Sequence, residues 1–582
     1  MADERIVQVV ELDLDYCTRT WGQSPCMASF SSGNVRRCYN TFPTCQYKQA
    51  FNKTSMTLRF IEQSFPVKVG DYMPALVSVS GREQKVNIGG FVADMEGLGE
   101  RARVDISITD FPSRDVQTDK YWAGRMDGSA QTNEGGYDPL DRGSFWSKLK
   151  ARNPNYAGRP LRVIQAHYTA SGALVYDKVR HYVITEIDGP SDSGSVKVIA
   201  KDILALADNE KALAPKTSQG RLRDDITASQ TSFAISPASL AGTYPASGTL
   251  VVGSEIMTFS RSGATFTVVR GRQGTQAATH SVNDTVQVAF NVNRTRADSV
   301  IRNLLVNYAN IPSSYINFSE WQAEFDRWGG TLVLDACICK PTGVTKLLSE
   351  ISQLGITLWW DELAQKIRIK LNRPPEEVPK IISDRNNIMS IKSEDNEDER
   401  ATQVSLWTVQ IDPTKDLNQD NFIRNYITVY VDGESPNYHN ETTTKTIYTR
   451  WLNQGNDAGA KIITGRLLMR YRHAPVTYTI KLDAKDDLQL TEVVQLDSHV
   501  ATDLTGLPDG RLTQVFYRAD DKAGSTITAK LQRFLYDSRF GYITENSRPN
   551  YNSSSEAQKL RGAYFVGPSL TFADGRGPYR FI

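Results

Sequence analysis

Short runs in which Val, Ile, Leu, Tyr and Thr alternate with polar residues recur along this chain, each cut off by Gly, Pro, Asn or Asp. Val104–Ile108, Tyr182–Ile187, Val196–Ala200, Tyr426–Val431 and Thr477–Leu482 are examples. A period of two sends successive side chains to opposite faces, which is how a strand buries one side and wets the other. The 40 Gly and 24 Pro end such runs, and the 25 Tyr, 21 Phe and 9 Trp supply side chains that pack well on a pleated surface. Helical spacing is scarcer. Ala297, Val300, Ile301, Leu304, Leu305 and Tyr308 form one stripe, and Val344, Leu347, Leu348, Ile351 and Leu354 a second that closes at Gly355. A third helix is expected over 458–470 despite Gly459 and Gly465. The expected fold is mainly β with some α+β, built from several domains.

At 582 residues the chain has material for about three to five domains. Its 67 Lys and Arg against 66 Asp and Glu leave a formal charge of +1, which argues against a dedicated nucleic-acid binder. The opening MADERIVQVVELDLD carries acids where a secretory signal needs a basic region, and no apolar run has the length of a membrane span. The expectation is a chain that folds in the cytoplasm of the cell that makes it.

The divisions read from composition are a cysteine-rich segment at 1–54, loop-rich over 10–50, a β domain at 55–225 and a small β insertion at 226–290. An α/β layer follows at 291–375, with helix 295–309, strand 331–338, helix 342–354 and strands 356–361 and 365–371. A second β domain spans 376–545, and an arm at 546–582 begins with an Asn/Ser-rich stretch that reads as flexible.

Chemistry concentrates in Cys17, Cys26, Cys38 and Cys45, four thiols within 29 residues. In a reducing cytoplasm such thiols are candidates for a soft metal or an iron–sulfur cluster, but this spacing selects neither. Disulfides formed after release from the cell, or unrelated buried thiols, are the alternatives. Cys337 and Cys339 sit two apart in an apolar strand and read as small core side chains spread by the pleat. Six scattered histidines, no HExxH, no GxSxG and no phosphate loop leave no catalytic centre in view, and the acid pairs Asp224-Asp225 and Asp486-Asp487 read as solvated turns. The run containing Glu394, Asp395, Glu397, Asp398 and Glu399 reads as a solvated loop, or as a repulsive lining for a passage that carries DNA without gripping it. Trp359 and Trp360 alternate faces of one strand, so one belongs to a core and the other packs under a helix or at an interface.

Several segments together resemble the tail-tip, or baseplate, hub proteins of long-tailed bacteriophages and of gene-transfer agents. They are Cys38-Tyr-Asn-Thr-Phe-Pro-Thr-Cys45-Gln, Met56-Thr-Leu-Arg-Phe60, Asp110-Phe-Pro112, Gly143-Ser-Phe-Trp-Ser-Lys-Leu-Lys-Ala-Arg-Asn-Pro154, Tyr156-Ala-Gly-Arg-Pro-Leu-Arg162, His181-Tyr-Val-Ile-Thr-Glu-Ile-Asp-Gly-Pro190 and Ala200-Lys-Asp-Ile-Leu204. Further on come Pro341-Thr-Gly-Val-Thr-Lys-Leu-Leu348, Leu358-Trp-Trp-Asp-Glu362, Gln365-Lys-Ile-Arg-Ile369 and Thr449-Arg-Trp451. Gly248-Thr-Leu-Val-Val-Gly-Ser-Glu-Ile256 and Arg270-Gly-Arg-Gln-Gly-Thr275 look like a small β insertion common in tail proteins. The matches spread over nearly all of residues 1–545, and their number and order carry the resemblance.

The resemblance implies a structural, non-enzymatic virion protein at the tail tip, assembled in the bacterial host cytoplasm as a homotrimer. Each subunit would hold two tube-like β-barrel hub domains. Its partners would be the distal tail protein ring, the end of the tape-measure protein and the central fibre or receptor-binding proteins, with genomic DNA passing through at ejection. Lambda tail-tip protein L, a shorter relative on this reading, holds an iron–sulfur cluster on four cysteines. Carried over, that places a 4Fe–4S cluster on Cys17, Cys26, Cys38 and Cys45. The alternatives are a tail-associated wall-degrading enzyme and a receptor-binding protein, the latter using the 226–290 insertion.

Overall fold

A computed structural model describes residues 5–29, 37–65, 69–88, 98–129, 135–169, 172–329, 332–373, 379–429, 443–453, 457–472, 474–502, 505–508, 510–521, 525–533, 539–543, 555, 563–566 and 579–581. The chain is mostly strand, arranged in several sheets. The Asn/Ser-rich stretch 546–556 lies outside the described residues apart from Ser555. Among the described residues no helix is long and apolar enough to cross a membrane.

Seven strands open the architecture: β1 (Arg5–Cys17), β2 (Lys53–Glu62), β3 (Met73–Lys85), β4 (Arg103–Thr109), β5 (Pro160–Tyr168), β6 (Leu174–Asp188) and β7 (Ser195–Lys201). Their order is β2-β1-β5-β6-β7-β4-β3, and β2 returns to pair in parallel with β3 over Phe60–Glu62 and Met73–Leu76. The strands therefore run in a ring, and one face of each points inward. On β1 that face is Val10, Leu12 and Leu14, which meet Leu58, Phe60, Val104, Ile106, Leu161, Val163, Ile184 and Val198. Helix α2 (Phe145–Arg152), from the Gly143-Ser-Phe-Trp segment, plugs this interior: Phe145 and Trp146 are buried, and Trp146 stacks on Phe60 at 5.5 Å. The outward face of β1 carries Glu11, Asp13 and Asp15. These are zipped to Arg59 on β2, to Arg162 on β5 and to Lys53, with Arg162 to Asp13 at 2.6 Å.

The second β unit uses strands Lys380–Ser383, Ile388–Asp395, Val476–Asp483, Val493–Asp497, Arg511–Asp520 and Thr526–Arg533. It is joined to the first by backbone pairing. The end of β3 leaves the ring and pairs through Glu83, Gln84 and Lys85 with Ala519, Arg518 and Tyr517, so both units share one 13-stranded sheet. Its own core contains Tyr478, Ile480, Leu482, Val494, Leu496, Val515, Ala529 and Leu531, with Trp359 against it.

Between these units lies the largest core. The α/β layer supplies strands Phe290–Arg296, Val333–Ile338, Ile356–Asp361 and Lys366–Leu371, with helices α3 (Ala297–Asn303), α4 (Phe318–Glu324) and α5 (Val344–Ser352). Helices α3 and α4 each continue for another turn in wider π geometry. Strands Gln403–Gln410, Phe422–Val429 and Thr444–Tyr448 and helix α6 (Asp457–Tyr471) contribute Val404, Leu406, Ile447, Leu467 and Tyr471 to the same core. A boundary near 375 therefore does not coincide with a core boundary. Residues 401–471 beyond it share the core of the α/β layer, with α6 packed on strands Gln403–Gln410 and Phe422–Val429, while Lys380–Ser383 and Ile388–Asp395 belong to the second β unit.

The insertion forms a six-stranded sheet with its own core around Phe233, Leu250, Met257, Phe259 and Phe266. Glu255 is fully buried within it and accepts from Arg270 at 2.7 and 2.8 Å, from His280 Nε2 at 2.8 Å and from the backbone N–H groups of Gly271 and Ala278. The Arg270-Gly-Arg-Gln-Gly-Thr275 loop touches the body. At Gly274, with φ of +79°, a Cβ would lie 2.1 Å from the carbonyl oxygen of Ile411.

One polar node ties three units together. Arg180 on β6 is bound on one side to Glu362, from the hairpin after Trp360, and on the other to Asp520 of the second β unit. Glu362 also accepts from Tyr182 at 2.7 Å and from Gln84 at 3.1 Å, and Arg518 pairs with Asp520 at 3.2 Å. All four charged groups are buried. Trp360 donates its indole N–H to the carbonyl of His181 at 2.9 Å beside this node, while Trp359 turns to the second β unit.

A cysteine-lined pocket as the candidate metal centre

The connection from β1 to β2 is long, and its contents explain why. β1 ends at Cys17, and the chain does not rejoin the barrel until Lys53. The described parts of residues 18–52 hold almost no regular structure, only a single helical turn at Lys48–Ala50. Such a segment needs something other than a ladder to hold it. Cys17, Cys26, Cys38 and Cys45 all line one small pocket, with Arg19, Trp21 and Asn40 also on its wall. Cys17, Cys26 and Cys38 are buried and Cys45 is half-buried.

Asn40 organises the loop. It adopts a left-handed backbone (φ 56°), and its side-chain amide donates to the carbonyls of Cys17 (3.0 Å) and Arg19 (3.1 Å). Two backbone N–H groups point at sulfur: Asn40 to Cys38 Sγ and Asn52 to Cys17 Sγ, each at 3.4 Å. The thiols also feel one another. Burial pushes Cys38 up to about 11, with Cys45, Cys26 and Cys17 adding to the rise, and burial raises Cys45 as well. Cys38 and Cys45, whose ionisation burial opposes, become favourable thiolates once a cation shares their charge.

A second excursion, between β4 and β5, braces the first. Helix α1 (Trp122–Asp127) carries Arg125, fully buried, which donates to the carbonyl of Cys38 at 2.7 Å and to Asp119 at 3.0 Å. The ring of Tyr39 lies 4.4 Å from the Arg125 guanidinium and 4.0 Å from that of Arg152, and Tyr121 Oη accepts from the Trp21 backbone N–H at 2.8 Å. Sequence reading did not find Arg125, Asp119 or Tyr39, since nothing local marks a partner about 90 residues away.

The donor set fits a thiolate-held group. The lining holds four cysteines and no carboxylate or imidazole, and N–H···S contacts of this kind stabilise thiolates at such centres. Among the described residues no three His, Cys, Asp or Glu side chains converge closely enough to grip a single ion. The quartet surrounds a volume and does not meet at a point.

The other two candidates have different fates. Glu394 and Asp395 end an exposed strand, and Glu397 and Asp398 are exposed on the following turn, with Glu394 paired to Lys392. Glu399 instead turns inward to accept from Gln532 at 3.2 Å, and burial raises its carboxyl. Cys337 and Cys339 are core residues, but the pleat does not spread them. The strand ends at Ile338, so Cys339 leaves the ladder and its Sγ comes within 3.8 Å of Cys337 Sγ.

No protein-family model matches the sequence, and no curated protein matches it. Solved structures resemble its general architecture. A tail protein from Neisseria meningitidis MC58 covers 80% of this chain and 98% of its own at 11% identity, with a TM-score of 0.37. The 43 kDa tail protein of prophage MuSo2 from Shewanella oneidensis covers 79% and 98% at 10% identity, with a TM-score of 0.34. Prophage tail protein gp18 from Listeria monocytogenes EGD-e covers 78% and 90% at 9% identity, with a TM-score of 0.27. At these values the likeness carries no functional assignment.

Proposed function

We propose that this chain is a structural hub of a bacteriophage tail tip, closing the distal end of the tail tube and opening for DNA ejection. The observation that carries the reading is the pair of β units in one sheet. A seven-stranded ring and a second, open six-stranded unit are fused edge to edge through β3, and this pairing of two β units supports a reading with two tube-like domains. Three such subunits would present six β units to a six-fold tube, with the distal tail ring, tape-measure end and central fibre as neighbours. The solvated acids Glu394, Asp395, Glu397 and Asp398 suit a wall that DNA passes without binding.

On this reading Cys17, Cys26, Cys38 and Cys45 hold a 4Fe–4S cluster. When bound, such a group supplies metal–thiolate bonds that add folding free energy where regular structure is thin. The chain's own residues do the rest: Asn40 and Asn52 aim N–H groups at sulfur, and Arg125 clamps the Cys38 carbonyl. Disruption of the coding sequence tests the hub role. Tails that fail to terminate or to join their fibre, restored by the intact chain in trans, support it. Complete, infectious particles lacking the chain would end it.

A further inference from the structure

Cys337 and Cys339 occupy a seam. Val251 and Ile256, a cross-strand pair at the base of the insertion, pack with Ala289 against both thiols. The segment carrying them also touches the chain on both sides of the insertion. Asn291, register partner of Cys337, donates to Thr249 Oγ1 at 2.6 Å on the returning side. On the outgoing side Thr342 and Gly343 pair with Ala214 and Leu213, and the Val344 N–H donates to the Ala212 carbonyl at 2.8 Å. Residues 337–344 thus bridge the two crossings by which the insertion leaves and rejoins the body.

The thiols are 3.8 Å apart, sulfur contact distance, and both are almost wholly buried. We propose that Cys337 and Cys339 form a redox-responsive dithiol that closes to a disulfide on exposure to a small-molecule disulfide oxidant and stiffens the insertion seam. One thiolate attacks the oxidant and releases half of it as a thiol. The other then displaces the second half, so the Sγ–Sγ bond forms, both cysteine protons are lost and the oxidant gains two electrons to become two thiols. A ring closed across a single intervening residue is tight, so the bond is readily reduced again. Contact with Cys337, and then burial, raise the Cys339 thiol, so closure is slow and favours alkaline conditions.

The test uses the full chain incubated with excess glutathione disulfide at pH 8, then mapped by mass spectrometry after tryptic digestion. The peptide 328–346 contains both cysteines and no other. The expected result is that peptide two hydrogens lighter, unlinked to any other, with slower amide exchange at 212–216 and 289–291 than in reduced protein. Cys339→Ser, a near-isosteric change, should abolish both effects, and reductant should reverse them in the wild type. The proposal is overturned if the peptide keeps its dithiol mass, or carries glutathione on one sulfur, or if exchange at the seam slows equally in Cys339→Ser.

Discussion

Replacing Glu362 with Gln removes one charge from the node that joins three parts of the molecule, while keeping shape. Glu362 is buried and serves Arg180, Tyr182 and Gln84 at once. Removing one partner of a buried ion pair costs about 3–5 kcal/mol, because the other charge stays desolvated. Here Asp520 still faces Arg180, and a glutamine oxygen can still accept from Tyr182, so the loss belongs at the lower end, about 3 kcal/mol. A chain with several cores does not unfold in two states, so a global midpoint is the wrong readout. Native-state hydrogen exchange resolves the opening free energy of peptides covering 174–188 and 511–520, where the His181 amide bonds the Glu362 carbonyl at 3.2 Å. Both peptides should lose about 3 kcal/mol in Glu362→Gln, and Arg180→Met should lose as much. The double variant should lose less than the sum by about 1–3 kcal/mol. Opening energies within ~0.5 kcal/mol of wild type, or strict additivity, would refute the view that this node couples the units.

Three further outcomes follow from the geometry. Anaerobically purified chain should contain about four irons and four sulfides, with a visible absorption band that Cys38→Ser abolishes; zinc would keep a staple without a cluster, and no metal at all would remove the centre. Burial would raise the Glu255 carboxyl, but Arg270, Ala278, His280 and Gly271 hold it down to about 2. A depressed carboxyl stabilises fully above its unfolded value near 4.5 and loses that contribution as pH falls toward 2. The insertion should therefore melt progressively earlier between pH 5 and 2.5, whereas Glu255→Gln should start about 3 kcal/mol less stable at pH 5 and respond less to acid; equal pH profiles would count against the assignment. Gly274→Ala should cost about 1–3 kcal/mol, seen as faster exchange around 411, since both its φ and the Ile411 carbonyl oppose a Cβ; unchanged exchange there would mean the insertion does not rest on the body.

What was legible in the chain was local. Val196–Ala200 falls within the strand Ser195–Lys201, and the stripes beginning at Ala297 and Val344 are helices. The helix starting at Phe318 was missed although Phe318, Trp321, Phe325 and Trp328 fall three and four apart, a helical stripe hidden by its aromatic, β-favouring composition. Residues 10–50 read as loop, yet Arg5–Cys17 is a 13-residue strand. Its outward acids Glu11, Asp13 and Asp15 suggest solvent, when they face arginines on neighbouring strands. Ring closure through a parallel β2–β3 pair and the meeting of Arg180, Glu362 and Asp520 depend on positions far apart in sequence, and periodicity carries no record of either. For the cysteines, type and clustering were visible, but the brace from Arg125 and the 3.8 Å approach of Cys337 to Cys339 depend on where loops and strands end.

The hub role is tested most directly by locating the chain in the particle, using gold-labelled antibody against a surface epitope and electron microscopy of intact virions. Label confined to the distal end of the tail tube is the predicted result. Label along the tube wall, at the capsid or absent from the particle would contradict the account.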